Sequence, residues 1–216
     1  CCTSDLTLEE FRRLRGKQYS EFTGARSVRE YLYGPDINAS QSSASGTLMT
    51  HRESIELFKQ LGVQMVPELK APEIEMLDDF TQQDYARKML NEYRAAGVSP
   101  SQVWPQSFSL ADIVFWIEQY PEFAPRLIYL DGRYDDAAFD HSDPGTWKPA
   151  MQELADSGIR IIAPPIWMLL APRGQDIVPS IYAQQARSAG LDIITWSLER
   201  SGSLASGGDW YYQSIS

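Results

Sequence analysis

The stretch "VQMVPELKAPE", residues 63–73, decides how the rest of the chain is read. Side chains alternate across a strand, so Val66, Glu68 and Lys70 share one face and Met65, Pro67 and Leu69 the other. A carboxylate and a lysine two positions apart then stand at the end of an otherwise apolar strand. Burying a charge is costly unless it is paired or metal-bound. At the exit of a strand that cost can be offset by a cation or a substrate. The plain alternative is a surface ion pair where the strand passes into a loop.

Outward from this stretch one cycle repeats from residue 47 on: a helical segment, then a short apolar strand. "GTLMTHRESIELFKQLG" reads as a helix with Thr50 as N-cap, Glu53 completing a capping box and Gly62 closing it. "TQQDYARKMLNEYRAAG", "SLADIVFWIEQYP", "TWKPAMQELADSG" and "VPSIYAQQARSAG" read as further helices. Strands are expected at about 63–69, 103–107, 127–131, 159–163 and 192–198. They are near-continuous apolar runs, as in a parallel sheet covered on both faces, and the spacing leaves room for a crossover helix each time. The expected fold is α/β: an incomplete TIM (β/α)8 barrel with about five of its eight strands, in a chain shorter than the usual barrel of about 250 residues. An open doubly wound sheet is the other architecture such a series can make. No Gly-x-Gly-x-x-Gly follows any strand, which disfavours dinucleotide binding.

Residues 1–46 read differently. "SDLTLEEFRRLRG" is a short helix with Asp5 or Thr7 as N-cap, and "NASQSSASG" is a Ser/Ala-rich loop. The expected organisation is an excursion over 1–46 between barrel strands and a partial barrel over 47–216, one domain in all. The first residues, Cys1 and Cys2, and the last, "DWYYQSIS", read as cut ends, so a partial chain is expected. Adjacent cysteines rarely bridge each other. With the sequon Asn38–Ala39–Ser40 they lean toward a secreted protein.

The 216 residues are 43% apolar and 12% aromatic, enough for a real core. No apolar run approaches the roughly 18 residues of a membrane span. A net charge of −10 argues against duplex nucleic acid or an anionic membrane as main partner, since both want a basic face. A small anionic substrate remains compatible, because it responds to the local field.

Barrel chemistry sits at the C-terminal ends of strands. In this chain those ends carry Glu68 and Lys70, Gln106 and Phe108, Asp131 and Arg133, Pro164 and Pro165, then Trp196 and Glu199. Each has a plain reading: Asp131–Gly132 is a turn signal, Trp196 a packing aromatic, Gln106 a loop amide. His51 falls in the first turn of a helix and His141 in the polar loop "FDHSDPG", so neither is taken as a catalyst. There is no zinc-spaced Cys/His cluster, no Gly-x-Ser-x-Gly and no Walker loop.

"SDLTLEEFRRLRG", "GTLMTHRESIELFKQLGVQMVPELK", "QSF" and "AGLDIITWSLE" together resemble, in this order, the glycerophosphodiester phosphodiesterase family. The double cysteine and the long polar excursion resemble secreted members from fungi and related eukaryotes. The resemblance implies a TIM barrel that hydrolyses glycerophosphodiesters to glycerol 3-phosphate and an alcohol with a divalent cation, Ca2+ or Mg2+. It implies Glu68 as a metal ligand and Lys70 beside the substrate phosphate, with Gln106, Phe108 and Trp196 lining the substrate. A hard cation takes oxygen ligands and offsets charge developing on a phosphoryl group. The family's His-Arg motif on the first strand, its Glu-x-Asp pair on the second and the His-Asp motif after it are not found in this sequence. No catalytic residue is therefore assigned, and the expectation is an inactive partial chain carrying one metal ligand. The alternatives are a non-catalytic, barrel-derived binding protein and a Schiff-base aldolase using Lys70, against which the neighbouring Glu68 argues.

Overall fold

The computed structural model describes residues 5–16, 26, 46–74, 76, 79–197 and 210–215. Cys1, Cys2, the sequon at Asn38 and the strand-end candidate Glu199 lie outside the described residues. The chain divides into two compact units, Cys1–Leu57 and Phe58–Ser216.

In the first unit α1 spans Leu8–Arg13. Between the two candidate caps the structure selects Thr7. Its Oγ1 accepts from the Glu10 amide at 3.2 Å while the Glu10 carboxylate accepts from the Thr7 amide at 2.8 Å. This reciprocal pair satisfies two donors that the first turn leaves open. Strand β1, Arg15–Gly16, pairs antiparallel with β2, Gly46–Thr47. Helix α2, His51–Leu61, starts in this unit and ends in the next, and it begins with the expected box: the amide of Thr50 donates to Glu53 at 2.8 Å and that of Glu53 to Thr50 Oγ1 at 3.2 Å.

The second unit is built on parallel strands. Residues 65–69 run beside 102–106, with the Trp104 amide donating to Met65 O at 2.8 Å and the Leu69 amide to Gln106 O at 2.9 Å. Helix α3, Gln82–Ala95, connects this edge to β3, Gln106–Ser107. Helix α4, Leu110–Gln119, leads to β4, Ile128–Leu130, and α5, Met151–Asp156, to β5, Ile161–Ala163. An antiparallel hairpin follows, β6 Leu170–Arg173 and β7 Asp176–Pro179. Then α6, Ile181–Ser188, leads to β8, Asp192–Ile193. The sheet order is β3-β4-β5-β8, all parallel, with 65–69 on the outer edge of β3. This is the expected strand order and direction. Among the described residues the barrel does not close.

Burial shows which way each strand faces. Met65 and Leu69 are buried while Val66 and Lys70 are exposed, the alternation read from the sequence. Ile128, Leu130, Ile161 and Ala163 form the inner layer, with Trp104 and Trp196 against them. The helices cover the other side: α4 packs on β3 and β4, and α6 on β8. Trp116 of α4 is fully buried, its indole donating to Ala86 O of α3 at 3.1 Å.

Two helices are shorter than the sequence suggests. α5 starts at Met151 rather than near Thr146, because the residue before a proline is pushed out of helical conformation and Pro149 stands in the way. α6 starts at Ile181, with Ser180 as N-cap, because Val178 and Pro179 are taken into β7. The hairpin turns at Gly174, whose φ of +65° suits glycine.

Candidate functional site

The C-terminal strand ends bring the predicted site residues into two neighbouring groups. Glu68 and Gln106 are paired across adjacent parallel strands. Lys70 Nζ lies 3.8 Å from Glu68 Oε1, and the lysine side chain is 82% exposed. It has no apolar pocket around it, which a Schiff-base lysine requires. The second group is Phe108 and Trp196, whose rings meet edge to face at 5.9 Å. Gln106 and Phe108, two positions apart at the end of β3, join the groups.

Phe108 has its place because residue 132 is glycine. A Cβ there would come within 3.0 Å of Phe108 Cδ1, so any larger residue displaces the ring from the end of β4. Trp196 is held by its indole N–H, which donates to Ala163 O at 3.0 Å. Its backbone pairs with Pro165. The buried pair Pro164 and Pro165 leads into a short 3-10 turn, Ile166–Leu169, that delivers Trp167 to the same mouth.

Five side chains in this mouth were not assigned from the sequence. Tyr134 contacts Trp196 at 6.2 Å and Trp167 at 6.0 Å. Trp167 could have been reached by extending the strand-end reading past Pro165. His141, set aside as a loop residue, packs edge-on against Trp167 at 4.9 Å. From the far end of the described chain, Trp210 stacks on Trp196 at 6.0 Å and Tyr211 meets Trp196 at 6.3 Å.

Burial pushes the His141 imidazole below its ordinary pKa, and the Asp140 carboxylate opposes this. The folded state therefore resists protonation. The associated stability is present above the unfolded value of about 6.5, and it is lost as pH falls below that and through the lowered folded value. Urea midpoints should drop between pH 7.5 and 5.5, and His141→Gln should flatten that drop. An equal drop in the variant would assign it to other groups.

Asp131 and Arg133 do not join the mouth. Asp131 is fully buried on the helix-covered side, where its carboxylate accepts from Arg133 Nη2 at 2.6 Å, Arg133 Nε at 2.9 Å and the Tyr182 hydroxyl of α6. It also accepts from the Arg133 amide at 3.1 Å, so the turn read from Asp131–Gly132 is real but is only part of its role. Burial, reinforced by Asp131, raises the Tyr182 phenol well above its ordinary value, so the hydroxyl stays a donor. A second buried network ties the neighbouring strand ends. Ser107 Oγ donates to Asp112 at 2.9 Å, the Ser109 amide donates to Ser107 Oγ at 3.0 Å, and Gln82 donates to Asp112 at 2.9 Å.

Among the described residues no group of three or more His, Cys, Asp or Glu side chains could hold a metal ion. Glu68 stands there as a lone carboxylate beside a lysine. Tight Ca2+ or Mg2+ sites gather several oxygens, so the described residues do not make such a site by themselves.

A protein of Arthroderma benhamiae (strain ATCC MYA-4681 / CBS 112371), named an extracellular protein, is 40% identical over 199 residues, which is 88% of this chain and 80% of its own length. The chain belongs to the family of that extracellular protein. No protein-family model matches it. Two solved structures are similar in fold to this chain. One, named for a glycerophosphoryl diester phosphodiesterase of Silicibacter pomeroyi DSS-3, gives a TM-score of 0.59 at 21% identity over 89% of this chain. The other, a glycerophosphodiester phosphodiesterase of Parabacteroides distasonis ATCC 8503, gives 0.50 at 14% identity over 79% of this chain. The chain spans 58% and 59% of those two proteins. At such identities the likeness is one of fold: the incomplete α/β barrel of parallel strands expected from the sequence. No helix among the described residues is long and apolar enough to cross a membrane.

Proposed function

We propose that the mouth at the strand ends takes a glycerophosphodiester outside the cell, in the site of a hydrolase that forms glycerol 3-phosphate and an alcohol, and that the described residues do not by themselves complete that hydrolysis. What supports this most is the placement of Glu68, Lys70 and Gln106 side by side at one end of a parallel sheet with a phosphodiesterase-type fold. The name of the fungal relative supports secretion. In this reading Lys70, a compact point charge, meets a phosphate oxygen. Gln106, Phe108 and Trp196 line the rest of the substrate. Glu68 would offer one oxygen to a divalent cation, Ca2+ or Mg2+.

The lone carboxylate also favours a second reading, a non-catalytic protein that binds the same ester. Both readings need Lys70. Titrating the purified chain with glycerophosphoglycerol should give saturable binding, and Lys70→Ala should weaken it about tenfold, the loss of one charge-assisted contact. Equal affinity in the variant would remove Lys70 from the site and both readings with it.

A further inference from the structure

Lys70 stands where the sheet releases the chain. The last ladder bond of its strand runs from the Leu69 amide to Gln106 O at 2.9 Å. Among the described residues no backbone hydrogen bond holds Lys70 itself. The carbonyl of Leu69 and the amide of Lys70, however, belong to one rigid peptide plane. That carbonyl accepts from Ser107 Oγ at 3.2 Å, so the plane that leads into Lys70 is gripped from β3. Ser107 is fully buried. Its hydroxyl has one hydrogen and faces two acceptors, Leu69 O and, at 2.9 Å, the Asp112 carboxylate. It also accepts from the Ser109 amide at 3.0 Å.

Asp112 is buried in the first turn of α4, where the helix dipole favours a negative charge. Among the described residues it has no ion-pair partner, and its carboxylate accepts from the neutral donors Ser107 and Gln82 Nε2, the latter at 2.9 Å. Gln82 takes the orientation that serves Asp112, and its own Oε1 is left buried without a hydrogen-bond partner. Three polar side chains from β3, α3 and α4 thus converge behind a single backbone carbonyl.

We propose that Ser107, set in place by Asp112 and Gln82, is a positioning residue for Lys70: it fixes the Leu69–Lys70 peptide and so aims the lysine, beside Glu68, at the ligand phosphate. Apolar side chains would pack this interior at less cost, and a buried polar network is a device for specifying one arrangement. Lys70 needs such a device. Its side chain is 82% exposed, so its direction comes from its backbone root rather than from packing. Fixing that root lowers the ordering cost of each contact the ammonium makes. The inference rests on the phosphodiester reading for what Lys70 meets.

The test is a double-mutant cycle on the binding of glycerophosphoglycerol, followed by calorimetry. Ser107→Ala should weaken binding about fivefold in the parent chain and not at all in a Lys70→Ala background, because its effect passes through the lysine. An equal loss in both backgrounds would make the network merely structural and overturn the proposal, as would a Ser107→Ala chain that binds like the parent. Gln82→Ala, at a partly exposed position, replaces Ser107→Ala where that variant does not fold. It should cost about twofold, again only in chains that keep Lys70, and the same two results would overturn the proposal. The Lys70 amide signal in a 15N–1H spectrum gives a readout without ligand. It should shift in either variant while that of Ala186, inside α6, stays in place, and an unmoved Lys70 signal would also sink the proposal. If the parent binds no glycerophosphoglycerol while the Lys70 signal shifts, the phosphodiester reading falls and the grip on Lys70 stands. If the parent binds and the two losses simply add, the grip falls and the phosphodiester reading stands.

Discussion

Asp131→Ala should lower the unfolding free energy by about 3–5 kcal/mol, the cost of removing one partner from a buried ion pair. The carboxylate is fully buried, and the Arg133 side chain is 11% exposed. Without Asp131 the guanidinium keeps Pro149 O, 2.5 Å away, but loses its counter-charge, and the Tyr182 hydroxyl loses its acceptor. Asp131→Asn should fall between, because it keeps the shape but not the charge. Tyr182→Phe should cost about 1 kcal/mol, one neutral donor removed together with its need for a partner. Urea unfolding followed by tryptophan fluorescence measures all three. An Asp131→Ala variant within about 1 kcal/mol of the parent would show that water reaches the guanidinium and that the pair does not organise the end of β4. The same network fixes the short turn Arg133–Asp135 that presents Tyr134 to the mouth. The variant should therefore also weaken ligand binding where it remains folded.

The second large effect concerns turnover. With glycerophosphocholine and millimolar Ca2+ or Mg2+, the 216-residue chain should release no more glycerol 3-phosphate than its Glu68→Gln variant. Phosphodiester hydrolysis asks for a proton donor to the leaving group and a base for the attacking group, each contributing roughly 10²–10⁴-fold. Among the described residues the mouth has His141 against Trp167 and the single carboxylate Glu68, and no metal-holding group of three. Turnover clearly above the variant would mean that the chain completes a catalytic site with residues beyond those described. Binding of glycerophosphoglycerol without turnover would favour the binding-protein reading.

What the sequence determined by itself is local or periodic. The boxes Thr7–Glu10 and Thr50–Glu53 close within three residues, so neighbours encode them fully. The parallel order of the sheet follows from apolar runs separated by crossover-length helices, since such connections leave few alternatives. The facing of Glu68 and Lys70 follows from the strand period of two, and the same period put Gln106 and Phe108 together. What only the tertiary structure decided depends on partners far apart in the chain. Asp131 reads as a turn residue until Tyr182, 51 residues later, is packed over it. His141 reads as a polar loop residue until the 3-10 turn after β5 places Trp167 against it. The end of α5 reads clearly, but its start and that of α6 gave way to Pro149 and to pairing in the hairpin. The seat of Phe108 on Gly132 needs two strands in register, and register is a property of the whole sheet. A side chain's local hydrogen bonds are encoded within a few positions, whereas its burial and ring partners depend on how distant segments pack.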